Sequence, residues 1–141
     1  VPDIRPCRIA PDTSSAFAFD RHHAESAALR PRPKAVEQTV ETCECMIDIA
    51  SALFNVCGKE LRRPGRSALG VARVRQIAMY VTHVVMGLSM SDVGRGFGRD
   101  RTTVLHACHL IEDMRDDAEF DAIVAMAERV ARAALRHGGR A

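Results

Sequence analysis

What this 141-residue sequence lacks narrows it first. No apolar run approaches the roughly 18–20 residues needed to cross a bilayer, so neither a membrane-spanning helix nor a membrane partner is expected. No segment combines the charged start, apolar core and small-residue cleavage site of a secretory signal. Strand-type alternation of apolar and polar residues appears nowhere, and no internal repeat is visible. There is no G-x-x-x-x-G-K-[ST] phosphate loop, no convergent Ser/His/Asp set and no paired carboxylates. Enzymatic activity and a cofactor are therefore not expected. Lysine is scarce, two residues against eighteen arginines. Arginine suits bidentate contacts with phosphate and guanine, but genomic base composition produces the same bias, so this feature carries little weight.

The five cysteines are odd in number and have no scaffold-like spacing. They read as reduced thiols of an intracellular, cytoplasmic protein. His106, Cys108 and His109 invite a metal reading, but on a helix Cys108 points away from the two histidines. No second ligand group sits at zinc-finger spacing. A core cysteine and two polar histidines are the better account, and no metal is expected. The sequence opens on Val1, so an initiator methionine, at least, is expected ahead of it.

The length suits one domain with an appendage, since a domain commonly takes roughly 100–200 residues. Residues 1–34 hold five of the six prolines. Proline removes helix donors and fixes φ, so a flexible arm is expected there, with Phe17-Ala-Phe19 as its one apolar spot. The domain is expected over residues 35–137 and a short tail over 138–141. From about Ala35 the pattern turns helical: Val36, Val40, Cys43, Ile47, Ala50 and Phe54 fall three or four apart on one face. Gly58 breaks that helix, and Lys59-Glu-Leu61 makes one short turn. Arg62-Arg-Pro-Gly-Arg-Ser67 is a loop marked by Pro-Gly. A second long helix is expected from about Gly70 to Met86, with Val74, Ile77, Ala78, Val81, Val84 and Val85 inward. Gly87 ends it. Ser91 is expected to cap the next helix. A last helix is expected from Ala118 to Arg136, burying Phe120, Ile123, Val124, Ala127, Val130 and Leu135. The fold class is all-α, a multi-helix bundle.

The most informative stretch is Gly94-Arg-Gly-Phe-Gly-Arg-Asp-Arg-Thr-Thr-Val-Leu-His-Ala-Cys108. A small helix stops at a tight Gly98-Arg99 turn, and a new helix opens with Asp100, Arg101, Thr102 and Thr103. Apolar Val104, Leu105, Ala107, Cys108 and Ile111 follow. An exposed first turn on a packed helix is how a helix-turn-helix offers a recognition helix to the major groove. Thr102 and Thr103 can present hydroxyls to bases and methyls to thymine, and Arg101 can fork onto guanine or touch a phosphate. Asp100 can accept from a cytosine amine or simply cap the helix. The net charge of +2 says little, but its distribution is oriented. Lys59 to Arg75 holds six basic residues and one acidic, whereas Glu112 to Asp121 holds six acidic and one basic. Basic clusters attract phosphate.

Val71-Ala-Arg-Val-Arg-Gln-Ile-Ala-Met-Tyr80, Leu88-Ser-Met-Ser-Asp-Val-Gly-Arg-Gly-Phe-Gly98 and Arg99-Asp-Arg-Thr-Thr-Val-Leu-His-Ala-Cys108 together closely resemble the C-terminal DNA-binding domain of the bacterial replication initiator family, DnaA. The likeness runs from about Gln38 to about Met114. It implies that Asp100, Arg101, Thr102 and Thr103 read bases in the major groove. It implies phosphate contacts by Arg75, Gln76 and His106, to which Arg73 and Arg99 are added. It also implies that the basic loop sends an arginine into the adjacent minor groove; Arg66 is the first choice and Arg63 the second. Several positions depart from the family pattern. Arg101 replaces a usual histidine, Gly98 stands where two glycines are common, Val74 replaces a proline, and the basic loop is differently spaced. The family's AAA+ ATPase is not legible in these residues, so a stand-alone protein is expected.

The expected function is sequence-specific binding of double-stranded DNA at initiator-box-like sites, regulating replication initiation or transcription from the nucleoid. Replication or transcription proteins are possible further partners, and the protein is expected as a monomer or homodimer. The alternative is a protein-interaction regulator of replication that keeps the fold but not strong DNA binding.

Overall fold

The computed structural model describes residues 33–138, with side chains from Ala35 onward. The arm expected over residues 1–34, including Phe17-Ala-Phe19, lies almost wholly outside the described residues, as do residues 139–141 of the tail. Among the described residues the chain is all-helical: α1 (Pro33–Phe54), α2 (Gly58–Arg62), α3 (Leu69–Val84), α4 (Met90–Phe97), α5 (Arg101–Met114) and α6 (Ala118–Gly138). α1 starts two residues earlier than the pattern suggests. Pro33 is tolerated there because a first-turn N–H has no intrahelical acceptor.

α3 lies at the centre and packs against α1, α2, α4, α5 and α6. Its Ile77, Ala78, Met79, Tyr80, Val81 and Thr82 are all buried in unbroken succession. The one-sided face expected for this helix is therefore too narrow: neighbours surround α3, while Val84 and Val85 are only half-buried near its end. α1 contributes Cys43, Met46, Ile47 and Ala50 to the core. Val40 is 38% exposed, so the inward face begins a turn later than expected.

α6 differs more. Its buried residues are Val124, Ala127, Glu128 and Ala131. Ile123 and Leu135, both expected inward, are among the exposed large apolar side chains. The inward face also carries Glu128, a carboxylate only 1% exposed. Arg115 reaches it with Nη1 at 2.9 Å and Asp121 with Nε at 2.5 Å. The same guanidinium donates to the Tyr80 hydroxyl at 3.2 Å and lies 5.8 Å from that ring's centre. The inward face of α6 thus joins a buried ion pair to the apolar Val124, Ala127 and Ala131. Burial works against the Arg115 charge, but the Asp121 hydrogen bond and the Glu128 field outweigh it and hold its pKa above the ordinary arginine value.

Tyr80 completes this cluster by donating to Glu112 Oε1 at 2.6 Å. Burial first, and then that hydrogen bond, raises the phenol above its ordinary pKa of 10.0. The native state therefore keeps a proton that the unfolded chain releases. This contribution to stability is complete below pH 10 and is lost as pH rises further. Tyr80 is the only tyrosine, so ultraviolet absorbance reports it alone. Native protein is expected to ionise Tyr80 only as it unfolds, and Tyr80→Phe is expected to flatten the alkaline stability profile. A native tyrosine titrating like a free phenol would contradict this.

Candidate nucleic-acid interface

α4 and α5 form the helix-turn-helix. The cap of α4 is Ser89, whose hydroxyl accepts from the Asp92 N–H at 3.1 Å. Ser91, the expected cap, lies inside the helix. With α4 starting at Met90, that residue joins Val93 and Phe97 in the core. The turn rests on Gly98, in the left-handed region at φ +66°, and the Arg99 N–H returns to the Gly94 carbonyl at 2.8 Å. Residues with a side chain disfavour that region, so glycine fits the turn.

α5 follows with Asp100 in the N-cap position, but its side chain makes no capping bond and is exposed. Thr102 and Thr103 are also exposed, while Arg101 is half-buried. Val104, Ala107, Cys108 and Ile111 hold the opposite face in the core. No acidic residue stands in the first turn of α5 and no basic one in its last. Asp100 is thus the one carboxylate at the N-terminal end of α5, and the first turn itself carries Arg101 and the two threonines. Among the described residues no group of three or more metal-ligating side chains forms; Cys108 is buried while His106 and His109 are exposed.

The remaining candidates fall into two groups. A shallow groove of about 170 Å³ between α3 and α5 is lined by Arg75, Gln76, Arg99, Thr103 and His106. It gathers most of the residues expected at phosphates. Arg73 is half-buried and donates through Nη1 to Gln76 Oε1 at 3.0 Å. Arg75, also expected at a phosphate, is engaged within the protein. It is 6% exposed, and it donates through Nε to the Leu61 carbonyl and through Nη2 to the Glu60 carbonyl, each at 2.8 Å. Its Nη2 also reaches Ser67 Oγ at 2.7 Å. Burial, and then the nearby Arg99 charge, lowers its pKa from the ordinary value. Arg75 is thus a brace for the basic loop as well as a wall of the groove.

The second group is that loop. Arg63 and Arg66 are exposed, and Arg63 lies 3.6 Å from Glu60. Gly65 takes φ +83° between them. Two features of this surface have no signal in the sequence pattern. Ser67 meets Arg75 only through the path of the loop. Leu69 is 75% exposed at the start of α3, two residues after Ser67.

A family model described as the bacterial dnaA protein helix-turn-helix matches residues 43–111. The chromosomal replication initiator protein DnaA of Lachnoclostridium phytofermentans is 37% identical over 81 residues, which span 56% of this chain and 18% of that protein. The protein of the same name from Mycobacteroides abscessus is 35% identical over 79 residues, spanning 56% and 15%. The chain thus spans less than a fifth of the length of these relatives. A solved chain described as a DNA replication initiation factor superposes with a TM-score of 0.62 over 70% of this chain and 32% of its own. At 23% identity that likeness speaks for the fold alone.

Proposed function

This chain belongs, over residues 43–111, to the bacterial DnaA helix-turn-helix family, and we propose that it binds double-stranded DNA sequence-specifically. The observation that carries the reading is the exposed first turn of α5, with Asp100, Thr102 and Thr103 outward and the buried Val104, Ala107, Cys108 and Ile111 behind them. A recognition helix uses such a turn in the major groove. Arg101, Thr102 and Thr103 read base edges there, and Asp100, freed from capping, accepts from a cytosine amine. Gln76, His106 and Arg73 face the phosphate backbone around the groove, with Arg75 behind them and Arg99 between the groove and the basic loop. Arg66, with Arg63 second, enters the minor groove. The biological outcome is regulation of replication initiation or transcription at sites related to initiator boxes. We infer no catalytic role for these residues.

Binding measured by fluorescence anisotropy on duplex DNA is expected to weaken steeply with salt, by about 0.9 log units per log unit of salt for each phosphate neutralised. Salt-insensitive binding, or none, would sink the proposal. Randomised-site selection tests Arg101. An arginine fork favours guanine by roughly 1–3 kcal/mol where it reaches a base edge. The selected motif is therefore expected to differ from an initiator box at the base facing Arg101, and Arg101→His to move it back. Thr102→Ala should weaken specific binding more than nonspecific binding. Identical motifs for wild type and Arg101→His would leave Arg101 as a phosphate contact.

One observation favours a second reading, in which the fold regulates through protein contacts. The outer side of α1 forms an open, largely apolar depression of about 590 Å³, lined by Val40, Cys45, Ile49 and Ala52 beside Glu41, Glu44 and Asp48. The anisotropy measurement separates the two readings, since the second survives an absence of duplex binding.

A further inference from the structure

We propose that Arg99 is a positioning residue that fixes the basic loop against the recognition helix, so that Arg66 and α5 read DNA in one register. The proposal rests on the DNA-binding reading above. Arg99 stands between the Gly98 turn and the Asp100 N-cap. Its own N–H is bonded to the Gly94 carbonyl, so its backbone is fixed to α4. Its side chain then crosses to the basic loop, where Nη2 donates to the Arg63 carbonyl at 2.6 Å. Nη1 lies 3.5 Å from the Gly98 carbonyl. Both ends of the guanidinium thus face backbone carbonyls.

The far end of the loop is held from the other side. Arg75, on α3, donates to Ser67 Oγ and to the Glu60 and Leu61 carbonyls. Only Pro64, Gly65 and Arg66 lie between the two anchors, and Pro64 restricts φ at one of them. Arg66 is therefore an exposed cation on a three-residue span with one end tied to the recognition turn through Arg99 and the other to α3 through Arg75. A loop ordered before binding need not lose that freedom when DNA arrives. Without the Arg99 anchor, Arg66 would keep its charge but lose its placement relative to Thr102 and Thr103.

The test compares wild type, Arg66→Ala, Arg99→Ala and the double variant on a panel of duplexes with single base-pair changes. A mismatched pair commonly weakens specific binding about five- to a hundredfold. Arg66→Ala and Thr102→Ala define which pairs the loop and α5 each read. Arg99→Ala is expected to reduce discrimination to under about threefold at the loop's pairs and leave that at the α5 pairs intact. The double variant should be no worse there than Arg66→Ala alone, because residues acting as a unit are not additive. Uniform weakening on all sequences, multiplying with Arg66→Ala, would overturn the proposal in favour of a phosphate contact. Relaxed reading at both sets of pairs would overturn it in favour of general support for the turn. A wild type that selects no motif would overturn the DNA-binding reading itself. The latch also has a test without DNA: trypsin cleavage at the Arg66–Ser67 bond should be several-fold faster in Arg99→Ala, and equal rates would overturn the latch. Arg99→Met, which keeps the aliphatic stem, takes the place of alanine if that variant fails to fold.

Discussion

Arg115→Ala is expected to destabilise the domain by about 3–5 kcal/mol, the range found when one partner of a buried ion pair is removed. Glu128, 1% exposed in the native domain, would lose a cation at 2.9 Å, while Arg132 stands further off at 3.7 Å. Asp121 and the Tyr80 hydroxyl would lose the same guanidinium. Because this cluster joins α3, α5 and α6, the damage should spread through the bundle. At roughly 4–8 °C per kcal/mol for a domain of this size, the thermal midpoint should fall by more than about 12 °C. Arg115→Lys should recover little, since a point charge cannot fork between Asp121, Glu128 and Tyr80. Arg115→Met combined with Glu128→Leu should recover much more, because no buried charge is left without its main partner. A midpoint within a few degrees of wild type for Arg115→Ala would show that the cluster is not holding α6.

Gly94→Ala should destabilise the domain less, but its effect should reach the interface. A Cβ at Gly94 would stand 2.5 Å from the Arg99 carbonyl oxygen and 3.4 Å from the Asp100 carbonyl carbon. Both are backbone atoms, so no side chain can swing aside, and the turn between α4 and α5 must open. Overpacking of this kind typically costs about 1–3 kcal/mol, occasionally more. The recognition turn would also shift, so specific DNA binding should fall at least about tenfold (about 1.4 kcal/mol) at temperatures where the variant is still folded. Gly96→Ala should destabilise without that selective loss of binding, because its Cβ would collide with Cys43 Sγ and stand 2.5 Å from Cys43 Cβ. Cys43→Ala should rescue it only in part, since the cysteine Cβ position remains filled. Gly70→Ala is the control: nothing lies within 4 Å of the added atom, and a helical alanine should be neutral or stabilising by up to about 1 kcal/mol. Equal midpoints for the Gly94 and Gly70 variants would show that the turn tolerates a side chain.

The burial of Cys43 against Gly96 also explains its chemistry. Burial, and then the Asp92 and Glu44 carboxylates, pushes its thiol up to about 12, which keeps it protonated and unreactive at neutral pH. Cys45 and Cys57 are the exposed thiols of the described domain.

The sequence by itself determined the elements and the recognition turn. The three-and-four spacing along α1, the Pro-Gly loop, and the glycines at 87 and 98 are local signals, because helix period and turn sterics act over a few neighbouring residues. The exposed Asp100–Thr103 turn, with Val104, Ala107, Cys108 and Ile111 beneath it, was legible for the same reason. Tertiary structure alone decided the rest. Ser89 and Ser91 are equally good caps by composition, and the cap is Ser89, with Met90 in the core. Ile123 and Leu135 are more apolar than Ala131, yet the face of α6 turned inward is the one with Ala131 and the Arg115–Glu128 pair. Arg75 and Arg99 look like free cations beside a basic loop, but each reaches a partner 8 to 36 residues away. Such contacts depend on where distant segments meet, and neither spacing nor propensity in a short window contains that information.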